Sequence, residues 1–257
     1  HRFPMVKYEL IPEQLLYEGS ITEENIFSPD PVIVPQILET HAVEYWEKLD
    51  QGTLTTQEVR RMGFPYSKGL VERECIITGG TLQCCTYAMK YGVSMNVAGG
   101  THHAFADRGE GFCLLNDIAV AANILLREQK AKQILVIDLD VHQGNGTASI
   151  FKDDDRVFTF SMHGKKNYPL HKEKSDLDIG LEDGTDDVTY LNILTKNLPK
   201  LFDRVQPDFA FFLSGVDVLE TDKLGRLGMS IKGCKTRDEL VLKTCKNHQI
   251  PLVISMG

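Results

Sequence analysis

Residues 135–146, Leu-Val-Ile-Asp-Leu-Asp-Val-His-Gln-Gly-Asn-Gly, constrain the fold of this chain more than any other stretch. The apolar, β-branched run predicts a buried strand, within which the polar residues Asp138, Asp140 and His142 alternate. Residues two and four positions apart in a strand point to one face, so two carboxylates and an imidazole would line up. Because unpaired carboxylates are costly to bury, the pattern favours a metal site where the strand ends.

Strands and helices alternate along most of the sequence. Strands are predicted at 93–97, 134–140, 157–161, 208–213 and 251–256. Helices are predicted at 36–49, 79–91 (opening at Gly79-Gly80), 116–129, 146–151, 187–204 and 236–247. This alternation predicts an α/β fold with a mostly parallel central sheet and helices on both faces. We expect residues 1–257 to form one domain, because nothing in the spacing divides them.

Three polar clusters follow predicted strands: His102–His103, the Asp138–Asp140–His142 series, and Asp217. In parallel α/β folds, ligands bind beyond the carboxyl ends of the strands. The three clusters are therefore expected to meet at one edge of the sheet.

Two carboxylates and one imidazole, from Asp140, Asp217 and His142, make a plausible metal-binding set. Catalytic zinc keeps three protein ligands and an open position for water. The bound metal lowers the pKa of that water to about 7, which provides a nucleophile at neutral pH. Zn²⁺ is the expected ion, and a mixed oxygen and nitrogen set also accepts Fe²⁺.

The tandem pair His102–His103 suits acid–base chemistry, since imidazole accepts and donates protons near neutral pH. A carboxylate facing a histidine raises its pKa, whereas an amide such as Asn145 fixes the tautomer without adding charge. Asp138 would either orient a histidine or help Ser161 and backbone carbonyls hold a second, monovalent cation.

The composition excludes several classes of partner. The net charge of −8 argues against a nucleic-acid-binding surface. No apolar stretch approaches the roughly 20 residues that span a bilayer, so we expect no membrane partner. The six cysteines form no C-x-x-C pair, which predicts free thiols in a reducing compartment. With no secretory signal visible, we expect an intracellular, cytoplasmic protein, or a nuclear one if the source is eukaryotic.

Several motifs, in this order, carry a family resemblance. They are Gly99-Gly100-Thr101-His102-His103-Ala104, Gly111-Phe112-Cys113-x-x-Asn116-Asp117, the Asp-Leu-Asp-Val-His-Gln-Gly-Asn-Gly series, Ser214-Gly215-Val216-Asp217-Val218-Leu219 and Asp222-Lys223-Leu224-Gly225. With them the chain resembles the zinc-dependent histone deacetylase superfamily over most of its length. The opening His-Arg-Phe-Pro-Met-x-Lys-Tyr and the Asp-Leu-Asp-x-His-Gln-Gly-Asn-Gly form are similar to the class IV branch and its bacterial relatives.

The resemblance implies a single-domain arginase/deacetylase-like fold and the hydrolysis of N-acyl-lysine in a protein or peptide. It makes Asp140, His142 and Asp217 the zinc ligands. It makes His103 the general base and then the acid, with His102 giving electrostatic help beside Asp138.

The resemblance also implies the surroundings of the site. Phe112 and Tyr168, with Gly111, would flank the acyl-lysine channel, and Asn145 would be a neutral partner of His103. The family's structural K⁺ site would involve Asp138, Asp140, His142, Ser161 and Met162, partly through backbone oxygens. The family continues into a Gly-Gly-Tyr whose tyrosine stabilises the oxyanion. Since this sequence stops at Gly257, we expect the C-terminal part of the domain to be missing.

Two alternatives remain open at this point. One is a hydrolase for small acylated amines such as acetylpolyamines, which an acidic channel mouth would favour. The other is a non-catalytic acyl-lysine reader. Neither the acyl-chain length nor the oligomeric state follows from the motifs.

Overall fold

The computed structural model of the chain describes residues 5–257. The first four residues, with which the opening motif begins, lie outside the described residues. Within the described part, a six-stranded sheet forms the centre, and all neighbouring strands are parallel. The strands are β1 (Val93–Asn96), β2 (Ile134–Asp138), β3 (Val157–Gly164), β4 (Leu177–Leu181), β5 (Phe209–Leu213) and β6 (Leu252–Ser255), in the order β1-β6-β5-β2-β3-β4. The predicted parallel α/β sheet is confirmed, and β4 is an additional edge strand.

Helices cover both faces of the sheet, and several further helices precede the first strand along the chain. They are α1 (Lys7–Tyr17), α2 (Val34–Ile37), α3 (Val43–Gln51), α4 (Thr56–Met62), α5 (Lys68–Tyr91), α6 (Asp117–Arg127), α7 (Asn145–Phe151), α8 (Asp187–Val205) and α9 (Ile231–Asn247). No helix among residues 5–257 is both long enough and apolar enough to cross a membrane.

Alternate residues of the central strands pack into two separate cores, as the period of a strand requires. Leu135 and Ile137 of β2 pack with α8 and α9, whereas Ile134 and Val136 pack with α5 and α6. The sheet therefore has helices on both faces. A third core, around Ile37, joins the N-terminal helices to α5 and α6.

The helix predicted at 79–91 begins eleven residues earlier, at Lys68, where the Ser67 hydroxyl accepts a hydrogen bond from the Leu70 amide. Gly79 and Gly80 thus lie inside α5 rather than at its start. A Cβ at Gly79 would come within 2.0 Å of the Asp30 carbonyl oxygen, so glycine allows the preceding segment to cross the helix closely. Here tertiary packing overrides the usual preference of glycine for helix ends.

Candidate active site

The carboxyl ends of the strands open into a cavity of about 760 Å³. The segments that follow β1, β2, β3 and β5 line this cavity, together with the C-terminal end of α4. The lining includes His102, His103, Asp140, His142 and Asp217. The structure therefore brings together the polar residues that follow three different strands.

Asp140, His142 and Asp217 form a compact cluster in which one potential ligand atom from each lies within 4.8 Å of the others. His142 Nδ1 is 3.1 Å from an oxygen of Asp140 and 3.0 Å from an oxygen of Asp217. The Val141 amide donates a 3.0 Å hydrogen bond to the other oxygen of Asp217, which fixes that carboxylate.

The loop after β2, rather than a continued strand, creates this convergence. β2 ends at Asp138, so the expected strand through residue 140 is wrong. The Asp138 carboxylate accepts a hydrogen bond from the Asp140 amide (3.2 Å), and the Asp140 carboxylate accepts one from the His142 amide (2.8 Å). Two successive turns of the Asx type thus aim Asp140 and His142 at the cavity and leave Asp138 facing elsewhere.

The cluster suits a divalent cation. Burial and then the nearby Asp140 charge raise the pKa of Asp217 to about 6. Burial lowers the pKa of His142, but hydrogen bonds to Asp140 and Asp217 outweigh it and raise that pKa to about 10. Without a metal, a proton on the imidazole compensates the two carboxylates, and a cation would take over that role.

The space around the cluster also fits a metal. A Cβ at Gly215 would lie 2.2 Å from an oxygen of Asp140, so only glycine leaves that carboxylate free to turn toward an ion. Carboxylate oxygens and an imidazole nitrogen are among the donors that Zn²⁺ accepts, and three protein ligands leave a fourth position open for water.

The loop carrying His102 and His103 is held by the start of α6. The Asp117 carboxylate accepts hydrogen bonds from the amides of Gly100 (3.1 Å) and Thr101 (2.8 Å). On the other side, a Cβ at Gly146 would lie 2.2 Å from the Ala104 carbonyl oxygen, so glycine lets α7 approach this loop.

The two adjacent histidines have different partners. His102 Nδ1 lies 2.9 Å from an oxygen of Asp138, and His103 Nδ1 lies 2.6 Å from Asn145 Oδ1. Burial lowers the pKa of His102, but the charge of Asp138 outweighs it, so this pKa is raised. Burial and then the charge of His102 hold the pKa of His103 well below its ordinary value. His103 is therefore the neutral imidazole, as a general base requires.

Aromatic side chains form the walls above the histidines. The Tyr168 ring meets the His103 ring edge-on, with centroids 5.0 Å apart, and Phe112 stands among the residues lining the cavity. Phe112 has a φ of 68°, and the Gly111 before it has a φ of 56°. A Cβ at Gly111 would lie 2.8 Å from His103 Cδ2, so glycine lets this wall approach the imidazole.

Among the residues expected around K⁺, Asp138 of β2 lies opposite Ser161 of β3. Met162, which follows Ser161 on β3, is buried. His163, which had no role assigned from the sequence, places its Nδ1 2.9 Å from Ser161 Oγ. Burial lowers the pKa of His163 to about 4. The K⁺ site stays a prediction.

The structure adds two features that sequence patterns missed. Glu110 contacts both Asn145 and Tyr168 through one oxygen. Four exposed basic residues, Arg60, Arg61, Lys166 and Arg226, line the mouth of the cavity. No single motif marks these residues, because Arg60 and Arg61 end α4 whereas Lys166 and Arg226 come from two separate loops.

Comparison with known proteins shows what the chain is similar to. The profile of the family described as histone deacetylase domain matches residues 1–257. An uncharacterised protein of Picosynechococcus sp. is 44% identical over 257 residues, which cover all of this chain and 86% of that protein. Histone deacetylase 2 of Arabidopsis thaliana is 30% identical, covering 99% of this chain and 68% of its own length. A crystal structure of an HDAC homologue complexed with SAHA superimposes with a TM-score of 0.80 at 26% identity, covering 93% of this chain and 69% of that one.

Proposed function

This chain belongs to the histone deacetylase family and is a deacetylase-type hydrolase, and on that premise we propose that it removes acyl groups, acetyl or longer, from lysine side chains. The observation that carries the proposal is the carboxylate–imidazole cluster beside a neutral His103 at the base of an aromatic-walled cavity. We also propose that residues 1–257 belong to one catalytic domain.

The proposed chemistry divides among the residues described above. Asp140, His142 and Asp217 would hold Zn²⁺, or Fe²⁺, which when bound activates a water and polarises the substrate carbonyl. His103 Nε2 would accept a proton from the attacking water and then donate it to the departing lysine nitrogen. His102, charged beside Asp138, would stabilise negative charge that develops on the substrate.

The walls of the cavity support a linear substrate. Phe112 and Tyr168 would flank the methylene chain of the acyl-lysine and exclude water from the reacting atoms. A solved relative of the same fold is complexed with SAHA, which supports small-molecule binding by this fold.

The positive charge at the mouth of the cavity favours a peptide substrate over a small acylated polyamine. Arg60 and Arg61 have no ion-pair partner among residues 5–257, whereas Lys166 and Arg226 share Asp183 at 3.7 and 3.6 Å. A mouth with excess positive charge repels cationic amines, although the whole chain carries a net charge of −8. We infer that the preferred substrates are acyl-lysines flanked by acidic residues.

The test is acyl release from lysine peptides with acyl chains from acetyl to myristoyl, with N-acetylputrescine alongside. We expect the native protein, loaded with zinc, to release acyl groups from peptides and to stop when a chelator is added. Release from N-acetylputrescine alone would move the assignment to small amines. No release from any substrate, with metal shown to be bound, would overturn the enzymatic proposal and favour a reader.

A further inference from the structure

Glu110 directly precedes Gly111 of the cavity wall and contacts the side chains of Tyr168, Asn145 and Arg108. Its Oε1 accepts hydrogen bonds from Tyr168 Oη at 2.5 Å and from Asn145 Nδ2 at 3.0 Å, and its Oε2 lies 3.6 Å from Arg108 Nε. The Glu110 side chain is only 15% exposed. Paired backbone hydrogen bonds with Cys113, of 3.0 and 2.9 Å, hold the turn that carries Glu110.

The contact with Glu110 decides which way the Asn145 amide points. An ionised carboxylate only accepts hydrogen bonds, so it takes the NH₂ end of that amide. The oxygen end is then left for His103, whose Nδ1 lies 2.6 Å from Asn145 Oδ1. Because that oxygen only accepts, His103 must carry its proton on Nδ1, and Nε2 is left with a free lone pair.

We propose that Glu110 is a positioning residue that sets the tautomer of His103 through Asn145. The proposal rests on the function proposed above, in which His103 Nε2 accepts a proton from water. Without Glu110, the Asn145 amide is free to rotate and present its NH₂ group to His103. That orientation favours the tautomer with the proton on Nε2, which is unable to act as a base.

The same geometry makes Glu110 and Asn145 a matched pair. An aspartate at position 145 would place a second carboxylate about 3 Å from Glu110, and two like charges at that distance repel strongly. Aspartate accepts hydrogen bonds with both oxygens, so it needs no neighbour to orient it toward His103. The effect of losing Glu110 therefore depends on which residue stands at 145.

The first test is a double-mutant cycle on kcat for peptide deacylation, with metal content and melting temperature checked for each variant. We expect Glu110→Ala to lower kcat about 10- to 100-fold, by analogy with the range for partners that orient metal-ligating histidines. Asn145→Asp alone should also lower kcat. In the Asn145→Asp background, Glu110→Ala or Glu110→Gln should raise kcat rather than lower it. Glu239→Ala is the matched control, because this half-exposed glutamate on α9 has its only ion pair within the described residues with Lys243 and lies outside the cavity lining.

Equal losses from Glu110→Ala in both backgrounds would overturn the proposal, because a purely structural role does not depend on residue 145. Glu110→Gln in the Asn145 background keeps the volume and an acceptor, so it should retain more activity than Glu110→Ala.

The second test reads the tautomer directly and does not require activity. Nitrogen-15 NMR of histidine-labelled protein distinguishes protonated from bare ring nitrogens. We expect His103 to carry its proton on Nδ1 in the wild type and to show a mixed or reversed tautomer in Glu110→Ala. An unchanged His103 signal would refute the positioning role, whereas a changed signal in a protein that releases no acyl group would refute the proposed function alone.

Discussion

The inner and outer parts of the cavity are assembled in different ways. The inner part consists of His102, His103 and the Asp140–His142–Asp217 cluster, all of which follow strand ends. Backbone amides hold the carboxylates of Asp140 and Asp217, and the side chains of Asp138 and Asn145 hold the two histidines. The outer part consists of Glu110, Phe112, Tyr168 and the four basic residues at the mouth. Its members come from separate loops and from the last turn of α4, and they meet through long-range contacts, such as that between Tyr168 and Glu110. Short sequence motifs therefore mark the residues of the inner part, which the parallel sheet then gathers, whereas no motif marks most residues of the outer part.

The largest expected loss of activity follows from removing one carboxylate of the inner part. We expect Asp140→Asn to lose most of the bound metal and to lower deacylation at least ~1,000-fold, because several kcal/mol of transition-state stabilisation depend on the ion. Metal analysis together with kcat/KM checks this. The exposed Asp203→Asn on α8 is the control. Retention of stoichiometric metal by Asp140→Asn would show that the cluster is not the metal site.

His103→Ala separates acid–base chemistry from metal binding within the inner part. We expect metal content to be unchanged and kcat to fall about 100- to 10,000-fold, the usual contribution of a positioned general base. The exposed His171→Ala should behave like the wild type. A loss of less than tenfold would assign proton transfer to another group.

The sequence predicted that the residues of the inner part lie together, because most of them belong to short motifs at strand ends. Asp138, Asp140 and His142 lie within five residues, and the expected strand edge gathers them with Asp217 even though β2 ends at Asp138. The expected alternation along a strand does not explain why Asp140 and His142 face the cavity. Two Asx-type turns after the end of β2 direct these side chains instead. No spacing rule brings Glu110 to Asn145, 35 residues away, or joins α4 to the 111–113 turn.

A buried carboxylate on α5, Glu74, also lines the cavity and tests whether burial of charge there lowers the stability of the protein. Glu74 is 1% exposed, and burial, only partly offset by Arg73, raises its pKa to about 7. The folded protein therefore binds this proton more tightly than the unfolded chain, and stability should fall as the pH rises from about 4.5 to about 7.

We expect Glu74→Gln to remove about 2 kcal/mol of the difference in unfolding free energy between pH 5 and pH 8. Urea denaturation of both proteins at the two pH values measures the difference. The exposed Glu72→Gln on the same helix should leave it unchanged. If Glu74→Gln and the wild type show the same dependence on pH, the carboxyl is not buried in solution as the structure describes.

The smallest expected effect concerns the outer part alone. The Arg61 carbonyl accepts a 3.2 Å hydrogen bond from the Gly111 amide, so the C-terminal end of α4 is tied to the channel wall. We expect Arg60→Glu combined with Arg61→Glu to shift the kcat/KM preference from acidic toward basic peptides about three- to tenfold, since exposed charge pairs contribute up to about 1 kcal/mol each.

This shift should appear in KM rather than in kcat, because the two arginines lie at the mouth and not beside the reacting atoms. It should also fade at high ionic strength, since salt screens exposed charges. The matched control is Lys196→Glu combined with Lys200→Glu on α8, which changes the net charge equally on exposed residues outside the cavity lining. If both pairs shift the preference equally, the effect is one of overall charge, and the distinction between a catalytic inner part and a selective outer part fails at the mouth.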